Sequence, residues 1–204
     1  MRDERILPGR LSNMKIFNVG YKYTNYYLID TGHYCLAIDT GWPGTINDYG
    51  RQLRPTGKRV QDISYLIVTH FHIDHAGLVQ ELKDKGVKFI LFDVQIQSIA
   101  QMETMIQKKM NYRPINQDDN ILITLQESRK FLQSIGLSGE VIHIPGHSDD
   151  SVSVFLDSGD AFTGDLQPEN QIMEDDLVSK GSWLRLKKLG LKRVNPGHGH
   201  SFEV

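Results

Sequence analysis

The sequence contains a single cysteine, Cys35, so no disulfide can form within its 204 residues, and a reducing compartment is expected. It has no long apolar run; the longest are strand-sized and would not span a bilayer. It also has no excess of basic charge: 23 Lys and Arg stand against 25 Asp and Glu, a formal net charge of −2. No broad positive field is available to wrap a polyanion, so nucleic acid is not an expected partner. Low-complexity segments and a separating linker are missing, and one domain over residues 1–204 is expected, large enough to bury a core. The amino terminus, MRDERILPGRLSN, lacks the apolar stretch of a signal peptide. These absences together predict a cytoplasmic protein with no membrane association. Residues 1–13 are open to three accounts: a leader, an extra edge element, or an early start before Met14 opens the first apolar run.

What is present reads as short β-runs followed by strands alternating with helices. Met14–Val19, Tyr26–Asp30 and Tyr34–Asp39 are rich in β-formers and separated by turn signals. Trp42-Pro43-Gly44 breaks the pattern, and an amphipathic stretch runs on to Leu53. Tyr65–Thr69 (YLIVT) is apolar at nearly every position, as a buried strand should be. A helix is predicted over Gly77–Lys85, a strand over Lys88–Phe92, and a longer helix over Phe92–Lys109, with Met102, Met105 and Met110 assigned to a core or lid. Asn111–Asp119 reads as a loop and Leu125–Ile135 as a helix. Val141–Ile144, Val152–Leu156 and Ala161–Thr163 are strand-like, Trp183–Leu189 helical, and Lys192–Val194 a last strand. Such an order suggests sheet layers covered by helices.

The densest chemistry lies in His70-Phe71-His72-Ile73-Asp74-His75, four metal-ligating side chains within six residues. Zinc and its neighbours favour imidazole nitrogen and carboxylate oxygen, and a catalytic site keeps one coordination position for water. Alternate residues at a strand end point the same way, so His70 and His72 can grip one ion. The turn that follows can swing Asp74 and His75 towards a second. A polar turn whose histidines merely cap the next helix is the competing account. Four ligand-type residues after an apolar strand weigh against it.

This segment resembles the H-x-H-x-D-H signature of the metallo-β-lactamase superfamily, and the resemblance extends over the chain from Met14 onward. Ile38-Asp39-Thr40-Gly41 is similar to the early motif whose aspartate supports the metal loop. Pro145-Gly146-His147-Ser148, Phe162-Thr163-Gly164-Asp165 and Pro196-Gly197-His198-Gly199 follow in the family's order. The resemblance implies an α/β chain folded as a four-layer αββα sandwich. It also implies two divalent metal ions, zinc by default with iron, manganese or cobalt acceptable. His70, His72 and His147 would hold the first ion, and Asp74, His75 and His198 the second. Asp165 would lie between them. The implied activity is that of a hydrolase: a hydroxide shared by the metals attacks an ester, lactone or related carbonyl of a small molecule, with Asp74 and Asp165 as catalytic carboxylates. A water on the metal, or Asp165, would then protonate the leaving group.

Other polar residues weigh differently. His200 rivals His198, but the Gly-His-Gly form favours His198. His143, within a strand, reads as structural, His33 as a solvated turn residue, and Cys35 as packing. Asp39 is preferred as a support for a ligating histidine over a simple turn residue. Tyr21, Lys22 and Tyr23 either form a hairpin over the metals or are ordinary sheet residues. Asp149 and Asp150 are either supporting carboxylates or a solvated turn, and the turn is preferred. Among the family's branches, thioesterases with a helical domain after the last histidine, flavin-linked diiron proteins, RNA-processing enzymes and secreted β-lactamases each fit less well. A small-molecule substrate is therefore expected, with a phosphodiesterase or a redox iron protein as the alternatives.

Overall fold

The computed structural model describes residues 14–106 and 111–204. The expectations for residues 1–13, and for Met110 and the end of the Phe92–Lys109 helix, lie outside them.

Two sheets carry the fold. The first contains β1 (Lys15–Asn18), β2 (Tyr27–Asp30), β3 (Cys35–Ile38), β4 (Tyr65–Ile67), β5 (Lys88–Phe92) and β6 (Ile121–Ile123) in sequential order. The first three strands are antiparallel, and β3 to β6 run parallel. The second sheet contains β7 (Gly139–His143), β8 (Val152–Leu156), β9 (Asp160–Gly164), β10 (Arg193–Pro196) and β11 (Phe202–Glu203), in the order β11-β10-β9-β8-β7. Its pairings are antiparallel except for β9 with β10.

The period of two along each strand sorts side chains between layers. Leu36, Ile38, Ile67, Ile90 and Phe92 meet Val152, Val154, Leu156 and Phe162 in a core between the sheets. The alternate residues Leu28, Ala37, Leu66, Phe89 and Leu91 face outward, against α1 (Ile46–Leu53), α2 (Ile73–Ala76), α3 (Val79–Lys83) and α4 (Ile96–Met105). A fifth helix, α5 (Ser128–Ser134), adds Leu132 to the inter-sheet core. On the far face of the second sheet, Phe155, Ala161 and Val194 pack on Trp183 and Leu186 of α6 (Leu177–Lys188). The layers therefore run helix, sheet, sheet, helix, the αββα sandwich expected. Covering both faces explains why β3 and β8 are buried at every position. Among the described residues, no helix is long and apolar enough to cross a membrane.

Several element boundaries differ from expectation. The predicted Gly77–Lys85 helix is two short helices that begin four residues earlier, at Ile73, and break at Gly77 and Leu78. A Cβ at Gly77 would collide with the carbonyl oxygens of Ile73 and Gly41, so only glycine fits this close approach. Helix α6 begins at Leu177, ahead of the expected Trp183, because the Asp176 carboxylate caps it by accepting from Ser179 N at 2.9 Å. Met102 is buried as expected, while Met105 is 70% exposed. Strands β6 and β11 were not anticipated.

Phe162 is fully buried and meets Tyr27 edge-on, with ring centroids 5.0 Å apart. Phe162→Ala is expected to cost about 3–5 kcal/mol of stability. Leu184→Ala, on the exposed side of α6, should stay within about 0.5 kcal/mol. Urea denaturation of the two variants measures both; equal losses would contradict the layer assignment.

Candidate metal centre

The site forms where chain segments leave the carboxyl ends of strands. His70 follows β4, His147 follows β7, Asp165 directly follows β9, and His198 follows β10. The seven side chains singled out in the sequence all converge there. Their ligand atoms fall into two groups, His70, His72, His147 and Asp165 in one, and Asp74, His75 and His198 in the other, each within 4.8 Å. Asp165 joins the groups. Its Oδ2 lies 3.8 Å from His70 Nε2, 3.6 Å from His147 Nε2 and 3.3 Å from His198 Nε2, while its Oδ1 lies 3.1 Å from His75 Nε2. His198 Nε2 is also 3.3 Å from Asp74 Oδ2. His72 presents Nδ1, 2.9 Å from His147 Nε2.

This donor set fits metal ions better than it fits itself. His70 Nε2, His75 Nε2 and Asp165 Oδ1 are buried, and none makes a hydrogen bond among the described residues. His75 Nε2 and Asp165 Oδ1 are close but not aligned as donor and acceptor. Buried polar atoms without partners are costly, and a cation at their meeting point would satisfy them. A Cβ at Gly197 would collide with Asp165 Oδ1 and His75 Cε1, so glycine keeps this cradle open.

The opposite edges of the rings are fixed by the surrounding protein. Asp39, at the end of β3, adopts φ of 62°, a left-handed conformation that aspartate tolerates better than most residues. Its buried carboxylate accepts from Thr69 N at 2.7 Å and Thr69 Oγ1 at 2.8 Å, and lies 2.9 Å from His75 Nδ1. Thr40 N and Oγ1 both donate to His75 O, at 2.8 and 2.9 Å. His198 Nδ1 lies 2.6 Å from Tyr23 O. Asn25 secures the same loop: its backbone N donates to Gly197 O at 2.7 Å, and its Nδ2 donates to Pro196 O at 3.0 Å and Gly199 O at 2.8 Å. Thr24 Oγ1 donates to Asp74 Oδ2 at 3.2 Å.

Burial alone would lower His75, but Asp39 and Asp165 override it and push its pKa up to about 10. Burial would raise Asp165, yet His75, His70 and His198 hold its carboxyl well below the usual range. Burial, reinforced by His75, keeps His70 far below an ordinary histidine. Positive charge is thus favoured at His75, between Asp39 and Asp165, and disfavoured at His70.

The rivals lie elsewhere. His200 and His33 are exposed and belong to neither group, and His143 Nε2 lies 2.6 Å from Asp149 O. Cys35 is a buried strand residue. Tyr21 and Thr24 form a tight bridge around Lys22 and Tyr23; Tyr23 is 89% exposed and acts on the site through its carbonyl.

The preferred account of Asp150 as part of a solvated turn is corrected. Asp149 is exposed, but Asp150 is buried, and its Oδ2 accepts from Phe71 N at 2.8 Å. Gln95, fully buried and unanticipated, donates to Val68 O at 3.0 Å and to Thr69 O and Asp150 O at 3.3 Å. Together these two side chains clamp the His70–His72 segment to the His147 turn. An acidic pair in a turn carries no signal that would separate Asp150 from Asp149, and Gln95 lies far from any motif.

Two clefts flank the centre. One of about 800 Å³ opens from His147, Asp165 and His198 towards Leu166, Trp183 and Phe202. A smaller one, about 350 Å³, lies beside His72, Ser98, Gln101 and Ser148.

Comparison with known proteins agrees with this geometry. The sequence profile of the Metallo-beta-lactamase superfamily matches residues 19–198, nearly the whole chain. The chain belongs to the metallo-β-lactamase superfamily. A lactamase-like protein, aptB, of Emericella nidulans is 28% identical over 200 residues, 96% of this chain and 55% of its own length. A beta-lactamase-like protein 2 homolog of Drosophila melanogaster is 28% identical over 88% of this chain and 60% of its own. An atrochrysone carboxyl ACP thioesterase of Claviceps purpurea is 28% identical over 71% of this chain and 40% of its own. The chain thus spans between 40% and 60% of the length of these curated relatives. The crystal structure of a metallo-beta-lactamase family protein from Thermus thermophilus superposes with a TM-score of 0.70 at 20% identity, covering 98% of this chain and 76% of that one. This structural likeness supports the fold.

Asp150→Ala leaves Phe71 N buried without its acceptor and should cost about 1–3 kcal/mol. Asp149→Ala, on the exposed neighbour, should be near neutral. Thermal melts of both variants, with matched metal content, decide between a clamp and a solvated turn.

Proposed function

We propose that the chain is a dinuclear metal-dependent hydrolase of small-molecule esters, thioesters or lactones. One observation carries the reading: Asp165 meets four of the five imidazoles and links the two ligand groups. His70, His72 and His147 would hold the first ion and Asp74, His75 and His198 the second, with Asp165 shared. The nitrogen and oxygen donors suit zinc, and also iron or manganese. Bound divalent ions supply an activated water and Lewis-acid polarisation of the scissile carbonyl.

The chain's own side chains prepare that chemistry. Asp39, Tyr23 O and Thr24 orient His75, His198 and Asp74 before substrate arrives, so little reorganisation is needed during reaction. Asp165, enclosed by imidazoles, is assigned as a bridge rather than as an acid. No Lys or Arg occurs among the described residues lining either cleft. That favours an uncharged carbonyl substrate over a phosphodiester or a carboxylate-bearing β-lactam. Thioesters join the substrate classes because one relative is a thioesterase.

Elemental analysis of purified protein is expected to give two divalent ions per chain. His198→Ala should release one of them, while His200→Ala keeps both; the reverse pattern would shift the last motif by two residues. A panel of esters, thioesters, lactones, phosphodiesters and β-lactams on protein of known metal content tests the activity. Turnover of phosphodiesters with carbonyl compounds inert would overturn the reading, as would a redox-active iron protein that hydrolyses nothing.

A further inference from the structure

The larger cleft differs in character from the centre it adjoins. Its near wall is His147, Asp165 and His198; the rest of its lining combines apolar Leu166, Trp183, Val194 and Phe202 with exposed polar side chains from residues 167–171 and His200. A volume of about 800 Å³ lies within the range of small-molecule sites. Several of the polar groups around it are turned onto one another. Trp183 Nε1 donates to Gln167 O at 2.9 Å, and Gln167 Nε2 donates to Gln171 O at 2.9 Å. Gln171 N donates to Pro168 O at 2.8 Å, and Lys187 Nζ holds the Glu169 carboxylate at 2.6 Å. Leu166, Trp183 and Val194 are buried behind its surface, and Phe202 and Val204 give it exposed apolar area. A ligand arm here gains by burying apolar surface and finds no unpaired positive charge among the described lining residues to recognise an anion.

We infer that this cleft is an acyl-chain subsite: it takes the uncharged aliphatic chain of an ester or thioester whose carbonyl lies between His147, Asp165 and His198. The inference rests on the hydrolase reading and narrows it. It separates the two arms of the substrate by polarity. The acyl chain enters the cleft of Trp183 and Phe202, and the more polar alcohol or thiol portion is left to the side of Ser98, Gln101 and Ser148.

Two measurements test it. The first is a series of p-nitrophenyl esters from acetyl to octanoyl, with the matching N-acetylcysteamine thioesters to separate the two leaving-group classes. Each added methylene should raise kcat/KM about 4-fold, so the octanoyl-to-acetyl ratio, six methylenes apart, should approach about 4,000. Phe202→Arg and Val204→Arg, on partly exposed positions of the cleft, should collapse that ratio, while Leu184→Arg on the outer side of α6 should leave it unchanged. The second needs neither hydrolysis nor metal. In a Trp42→Phe background, Trp183 is the remaining tryptophan, and titration with 2-decanone should change its emission saturably, with or without chelator. Hydrolysis with a flat chain-length profile and no ketone binding would overturn the subsite and leave the hydrolase reading intact. Saturable ketone binding that Phe202→Arg abolishes, in a protein inert towards every ester and thioester, would support the apolar cleft and overturn the hydrolase reading.

Discussion

The buried carboxylate of Asp39 is the tie on which the centre depends. A charge held out of water is tolerable only when its oxygens are well bonded, and here three groups supply the bonds: Thr69 N, Thr69 Oγ1 and His75 Nδ1. These groups come from the end of β4 and from α2, while Asp39 ends β3. One side chain thus fixes two parallel strand ends and the helix that carries Asp74 and His75. The backbone strain at Asp39, with φ of 62°, belongs to the same device, because the chain must turn there to bring the carboxylate to Thr69 and His75.

The second clamp works on the other side of the histidine cluster and through a different chemistry. Asp150 and Gln95 join the first sheet's loop to the second sheet's His147 turn by bonds to backbone groups rather than to ligand rings. The centre therefore straddles two sheets whose facing surfaces are otherwise held by apolar packing. Packing sets the separation of the sheets, and the clamp sets their alignment at one end.

Much of this was legible in the sequence, and the misses share a cause. His70, His72, Asp74 and His75 were visible because they crowd into six residues after an apolar strand, and His147, Asp165 and His198 because their motifs, in order, resemble the family pattern. The buried strands of the first sheet were visible because both their faces are covered. Strand β6 escaped because it is three residues long, lies at an edge, and leaves Leu122 exposed. The start of α6 escaped because Leu177, Val178 and Leu184 are apolar yet face outward, which blurs the helical period. Asp150 and Gln95 escaped for another reason. Their importance lies in which backbone groups they reach, and those partners are distant in sequence.

The stitches between Tyr23–Tyr27 and Pro196–Gly199 carry a consequence for how the protein comes into being. Asn25, Tyr23 O and Tyr27 OH all bond to this late segment, with Tyr27 OH donating to Pro196 O at 2.8 Å. The partners are 169 to 175 residues apart in the chain. On a ribosome, the early hairpin would emerge long before the residues that complete it, leaving one side of the ligand cluster to wait for the other. Loops of that length close slowly and late. Ordering of the Tyr23–Tyr27 hairpin around Asp74 and His198 would then await the emergence of Pro196–Gly199 rather than precede it.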